Sequence, residues 1–296
     1  MAVAAAVAAT ATAAGTQRSP GYWEGVARRF LKDPVAILAG LVVLALFAMA
    51  LLGPWISPAD PFRSSMLGRL QPIGSADYPL GSDELGRDML SRLIVGARLS
   101  LFMGITPVVV AFVIGSAVGI LAGYAGGVAN TVIMRTIDVF YAFPSVLLAI
   151  ALSGALGAGI GNALLSLTIV FIPPIARVAE SVTTQVRGRD YVEAARASGA
   201  GAFTIVRVHV LGNVLGPIFV YATSLIAVSM ILASGLSFLG LGVKPPEPEW
   251  GLMLNTLRTA IYVQPWVAAL PGAMIFITSI AFNLLSDSLR AAMDVK

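Results

Sequence analysis

Val139 to Ala176 reads VFYAFPSVLLAIALSGALGAGIGNALLSLTIVFIPPIA, and none of these 38 residues carries a charge. A helix rises 1.5 Å per residue and needs about 20 residues to cross a hydrocarbon layer of ~30 Å, so the run is too long for one crossing. Its middle, GALGAGIGN from Gly154 to Asn162, is a cluster of helix breakers. Two antiparallel membrane helices joined by a tight turn are predicted. The first of the pair starts near Thr131, so that Arg135 and Asp138 sit three residues apart at its interfacial end and pair; Arg177 and Glu180 close the second.

The rest of the chain repeats the pattern. Val35 to Leu52 is uncharged for 18 residues and is the first span; Leu99 to Gly123, with Pro107 and several glycines, is the second. Val210 to Val243 holds the fifth, predicted to end near Ser234, because SGLSFLGLGV is too rich in glycine to finish as regular helix. The sixth covers Val267 to Leu285, after PPEPEW and a short polar helix around Met253 to Thr259. The fold class is therefore all-α, a polytopic membrane protein with six transmembrane helices. Residues 35–98 make the first span and an outer segment, and 99–296 the core domain.

Composition agrees. Of 296 residues, 57% are hydrophobic and 11% charged, against roughly 25% charged in an average soluble domain. The mean hydropathy is +0.87. The net charge of +4 is spread between apolar runs, which excludes a nucleic-acid patch and leaves basicity as an orientation signal. Cysteine is absent, so thiolate metal sites and thiol catalysis are excluded. With six spans both termini share a side. Placing them inside puts twelve basic residues in the inner segments against seven outside. The Ala-rich residues 1–20 lack the charged start of a secretory signal and read as a disordered cytoplasmic tail. Residues 21–34, with GYWEGVARRFLK, read as an interfacial helix on the anionic inner leaflet.

The outer segment, Gly53 to Arg98, ends in an amphipathic stretch. Met89, Leu90, Leu93, Ile94 and Ala97 share one face, and Arg87, Asp88, Ser91 and Arg92 the other. A helix lying along the outer membrane surface is expected.

The longest hydrophilic stretch between spans, Ser181 to His209, lies inside. Asp190 followed by Glu193 has capping-box spacing, so a short helix begins at Tyr191. Its body runs through Ala194, Ala195, Arg196, Ala197 and Ser198 before Gly199, Ala200 and Gly201 end it. Such small side chains permit close approach by another protein, although alanines also simply favour helix. Location decides between the two: a short helix outside the membrane buries little against its own chain.

These residues resemble the integral membrane subunits of bacterial ATP-binding-cassette importers, whose EAA segment is followed by a glycine. Here that is Glu193, Ala194, Ala195 and Gly199. More narrowly, the chain is similar to the C-type permease of the dipeptide, oligopeptide and nickel importers. PLGSDELGRDMLSRLIVGARLSL (79–101), DVFYAFPS (138–145), DYVEAARASGA (190–200), LSFLGLGVKPPEPEWGLML (236–254) and AFNLLSDSLRAAMD (281–294) carry the likeness. It departs from that pattern at Leu211-Gly212-Asn213, where Leu-Pro-Asn is usual, and this implies a more flexible exit from the coupling segment.

The resemblance implies that Asp190, Glu193, Ala194, Ala195, Arg196, Ser198, Gly199 and Ala200 dock on a cytoplasmic ATPase. It also implies that a homologous second permease shares the pathway, that two ATPase subunits or domains use ATP and Mg, and that an extracytoplasmic lipoprotein delivers substrate. The protein would sit in the bacterial inner membrane among its lipids. No glycine-rich loop ending in Lys-Ser or Lys-Thr exists, so ATP hydrolysis is expected from a partner, and no cofactor or catalytic site is expected in this chain. Swinging a pathway between two states takes about 5.5 kcal/mol, more than one small helix contact supplies, so rigid-body coupling is expected.

Glu247, Glu249 and Trp250 in the outer loop either touch the delivery protein or belong to a rigid proline-rich connector. Tyr141, Thr223, Ser224, Thr278, Ser279 and Asn283 either line the pathway or bond helix to helix. His209 is the single histidine, so a metal site there is not expected. Two other classes fit less well. A secondary transporter carries a charge at mid-membrane, which these spans lack. An intramembrane serine protease needs a Ser-His pair, and Ser234 and Ser237 fall on the opposite side from His209. Peptides are the expected substrate, with nickel or another small solute as the alternative.

Overall fold

The computed structural model describes residues 22–293, so the expected tail at 1–20 lies outside the described residues. The regular elements there are helical, and only isolated bridges, Ser75 with Tyr78 and Ser82 with Asp88, interrupt the pattern. Helix α1 is Tyr22–Phe30, α2 Pro34–Ile56, α3 Met89–Ala125, α4 Gly127–Tyr141, α5 Ser145–Leu156 and α6 Ile160–Arg187. The short α7 is Asp190–Ala197, α8 runs Ala202–Phe238, α9 is Trp250–Thr256 and α10 Pro265–Met293. Five of these, α2, α3, α6, α8 and α10, are long and apolar enough to cross a membrane. The pair α4 and α5, bent by 84°, counts as a sixth when taken together as one broken span.

Several boundaries differ from expectation, each for a local reason. The crossing predicted as one straight helix from Thr131 breaks at Ala142 to Pro144, because proline lacks the donor that would continue α4 and restrains the residue before it. Helix α6 does not close at Arg177 and Glu180 but continues to Arg187. Arg177 instead reaches across to Asp138, and Glu180 accepts hydrogen bonds from Asn130 Nδ2 (2.7 Å) and Thr184 Oγ1 (3.1 Å). Helix α8 passes Ser234 and ends at Phe238, and α10 is longer at both ends than Val267 to Leu285.

The largest correction concerns the outer segment. The expected surface helix is the first part of α3 itself, so a boundary between 98 and 99 falls inside one helix. Both of its faces are covered, with Ser91 and Arg92 as buried as Met89 and Leu93. Asp88 caps the helix, accepting from Ser91 N at 2.7 Å. Asp83 folds back over it, meeting Arg87 Nε at 2.6 Å and standing 3.4 Å from Arg92 Nε. Arg92 also donates to the carbonyl of Pro61 at 2.9 Å. Arg87 and Arg92, expected to face solvent, are therefore held against Asp83 inside the fold.

Two apolar cores share α3. One contains Met103, Val108 and Ala111 with Leu167 and Ile175 of α6 and Val214 and Ile218 of α8. The other contains Met89, Leu93 and Leu101 with Leu46 of α2, Trp250 of α9 and Phe282 of α10. The contact of α3 with α6 is made by Gly115, Gly119 and Gly123, four residues apart and so on one face. A Cβ on Gly115 would come within 2.9 Å of the Ile172 carbonyl, and one on Gly123 within 2.7 Å of that of Glu180. On Gly119 it would collide with the Ala176 carbonyl. Helix α2 runs antiparallel to α10, Gly40 lying beside Leu285. Helix α1 rests on the far end of α10, with Val26 buried and Arg29 Nη1 donating to the carbonyl of Ala292 (3.2 Å). Asp33 caps α2, and its hydrogen bonds with Ser288 and the Val35 amide hold its carboxyl below the usual range.

Gly119→Leu is expected to separate α3 from α6 and to cost more than the ~1–3 kcal/mol of ordinary overpacking, because backbone is what it strikes. Gly154→Ala, which meets open space, should leave the melting temperature in detergent unchanged. Asp83→Ala strands two buried guanidinium groups, a loss of about 3–5 kcal/mol. Limited proteolysis of the segment 57–88 in proteoliposomes would register it as cleavage that the parent protein resists.

Candidate functional site

Helix α7 stands between the ends of α6 and α8. It starts at Asp190, one residue earlier than expected, with Arg189 as N-cap and no side-chain cap. The Asp190 and Glu193 capping box does not form, because the Arg189 carbonyl already takes the amides of Val192 (2.9 Å) and Glu193 (3.2 Å). Both carboxylates instead lie in the first turn, where the helix dipole is positive.

The other end is closed by the backbone. Gly199 has φ +82°, a left-handed conformation that costs a glycine nothing. Its amide donates to the Arg196 carbonyl (3.0 Å), and that of Ala200 to the Ala195 carbonyl (3.1 Å), the paired bonds of a Schellman cap. Nothing lies within 4 Å of where a Gly199 Cβ would stand. The requirement for glycine within this chain is thus conformational, and the space beside it is open.

Val192 is the one fully buried residue of α7, and it packs in the core that also holds Ile205 and Val210. Ala195 and Ala200 are half-buried against the same cluster. Asp190, Glu193, Ala194, Arg196, Ser198 and Gly199 are exposed, so the structure brings all eight residues together and presents six of them outward. Phe203, 77% exposed just beyond the cap, extends this surface. Sequence reasoning missed it, though an aromatic beside a small-residue turn outside the membrane was a readable signal. Gly212 lies inside α8, whose Val206–Val210 stretch is a single π-helical segment, so the exit is helical throughout.

Two other expectations are corrected. Glu249 and Trp250 do not face an outside protein. Glu249 is 1% exposed and caps α9, accepting from the amides of Gly251 (2.9 Å) and Leu252 (2.8 Å), and burial pushes its carboxyl up. Trp250 is fully buried, its Nε1 donating to the Leu93 carbonyl (3.1 Å) and its amide to Ser100 Oγ (3.0 Å). Gly96 leaves room for the Pro248 carbonyl to rest on α3. The loop is a connector clamped to α3, and of the three only Glu247 is exposed. Thr278 and Ser279 are buried within this chain, Thr278 Oγ1 donating to the Met274 carbonyl of its own helix, so neither reaches a pathway surface. Thr223 and Ser224 are half-buried; Thr223 Oγ1 lies 3.1 Å from Ser286 Oγ and ties α8 to α10. Asn283 and Tyr141 are exposed.

Residues 115–296 match the family described as binding-protein-dependent transport system inner membrane component, and 21–72 match the N-terminal transmembrane domain of oligopeptide transport permease C. The chain is 43% identical over 274 residues to the glutathione transport system permease protein GsiD of Pectobacterium atrosepticum, covering 93% of this chain and 91% of that one. It is 43% identical over 265 residues to the di/tripeptide transport system permease protein DppC of Pseudomonas aeruginosa, covering 88% of each. In fold it is similar to a chain of the MetNI methionine ABC transporter in an inward-facing conformation, with TM-score 0.56 at 23% identity over 69% of this chain and 97% of that one. With its helical bundle and the exposed turn between α6 and α8, the chain belongs to the binding-protein-dependent transport system inner membrane components, the multi-pass permease subunits of bacterial ATP-binding-cassette importers.

Proposed function

We propose that this permease carries short peptides, with α7 as the lever through which a separate ATPase moves the pathway. The observation that carries the lever is the exposure of α7: a turn of small residues, capped by Gly199, held to its own chain by Val192 with Ala195 and Ala200 and open on its other side. Peptides follow from the di/tripeptide and glutathione names of relatives that align along most of the chain. In this reading α7 and both termini face the cytoplasm, and residues 57–88 the exterior. Two ATPase subunits or domains, using ATP and Mg, seat α7; a second permease completes the pathway; a binding lipoprotein delivers the peptide. This chain contributes no catalytic group.

Gly199→Val forces a β-branched residue into a left-handed conformation at the cap and fills the open space beside it. Substrate-stimulated ATPase of the reconstituted complex is expected to fall at least tenfold, while the variant still reaches the membrane. Undiminished peptide transport by Gly199→Val would sink the lever.

The absence of cysteine makes sidedness directly measurable. A membrane-impermeant maleimide should label Ser198→Cys in inside-out vesicles only, and Leu67→Cys, at a position 96% exposed, in intact spheroplasts only. Labelling of Ser198→Cys from outside would invert the topology.

A further inference from the structure

Helices α4, α5, α6 and α8 line a half-open pocket of about 370 Å³ at the α4–α5 bend, with Phe140, Tyr141, Phe143, Ser145, Phe171 and Pro174 among its walls. That volume lies within the ~300–1,000 Å³ of small-molecule sites. One helical turn from the cavity, on both helices, stands an ion pair. Asp138 is three residues before Tyr141 on α4, Arg177 three after Pro174 on α6, and the two side chains are in direct contact. The guanidinium also lies over the Tyr141 ring, 5.8 Å from its centre.

The pair is accessible. Arg177 is 17 residues along α6 from Ile160, roughly 25 Å along the axis at 1.5 Å per residue, which places it near the opposite face of a ~30 Å hydrocarbon layer. The side chains of Arg177 and Asp138 are 47% and 28% exposed, so both charged groups are open to a ligand as well as to each other.

We infer that Asp138 and Arg177, with the aromatic cavity beside them, form a contact site for a short zwitterionic peptide. The inference rests on the reading of this chain as a peptide pathway subunit. The peptide carboxylate takes the guanidinium fork, whose geometry suits it, and the ammonium takes Asp138. Each protein charge exchanges one partner for another, so none is stranded. Asp138 also has Arg135 at 3.7 Å, which keeps it paired while Arg177 is engaged. An apolar side chain of the peptide enters the cavity. A ligand with blocked termini offers no replacement for either charge and leaves the pair closed.

The test uses the full complex with its ATPases in lipid nanodiscs, without the binding protein, and saturation-transfer NMR of trialanine against N-acetyl-trialanine amide. The wild type should favour the free peptide at least fivefold. The double variant Asp138→Asn with Arg177→Gln removes both charges together and strands neither; it should bring the ratio near one with ATPase co-purification and melting temperature unchanged. Arg177→Lys, which keeps the charge, should retain the preference. Equal wild-type signals, or a preference surviving in the double variant, would overturn the inference. Leu148→Trp, which fills the cavity without reaching the ion pair, should weaken trileucine more than triglycine, and an equal effect on both would count against the cavity. Failure of wild-type vesicles with the binding protein to import any peptide, with the trialanine preference intact in nanodiscs, would refute the transport reading and support the contact site.

Discussion

The arrangement depends on how closely α3 and α6 approach. In a bilayer the surrounding lipid is as apolar as a leucine side chain, so burial supplies little drive to bring two spans together. What remains is van der Waals contact, and that grows steeply as backbones close. Gly115, Gly119 and Gly123 let α3 touch the carbonyls of Ile172, Ala176 and Glu180 directly. This seam fixes the later half of α6, and two residues separate its end from α7. The exposed turn therefore hangs from the most tightly packed helix pair in the molecule.

Much of this was legible in the sequence, for reasons that also explain what was not. Crossing length is a property of one segment, so the spans could be read from uncharged runs. The bend between α4 and α5 was hidden inside such a run, because Phe143-Pro144 adds no charge and the apolar length alone already accounted for the segment. The start of α3 was misread for a different reason. Amphipathic spacing says which residues share a face, not what covers it, and Asp83 folding back over Arg87 and Arg92 is a tertiary event. Glu249 and Trp250 looked like loop residues free to touch a partner. Their burial depends on Gly96 and Ser100, some 150 residues earlier in the chain, making room and accepting a hydrogen bond.

Helix α7 was readable because its small side chains, terminal glycine and location outside the spans all pointed one way. Only its N-terminal cap was misjudged. The Asp190 and Glu193 spacing imitates a capping box, yet the helix begins where the Arg189 carbonyl becomes available. Freed from capping, Asp190 and Glu193 stay exposed beside Ala194 and Ser198, so the turn presents two carboxylates.

The two apolar cores link one small helix to the far side of the bundle. Residues 89–101 of α3 lie in the core built with α2, α9 and α10, whereas Met103 to Ile120 lie in the core built with α6 and α8. Pro107 interrupts the backbone ladder close to that division. Val192, Ile205 and Val210 bind α7 into the second core with α6, α8 and the later part of α3, and α8 reaches the first core as well through Ala227 and Met230. The first core is pinned by the buried ionic clamp of Asp83, Arg87 and Arg92 and by Trp250 on Leu93. Helix α8 therefore joins both cores, and the Asp138–Arg177 pair stands beside a third, smaller cluster formed by Ala122, Met134, Ile137 and Ala176.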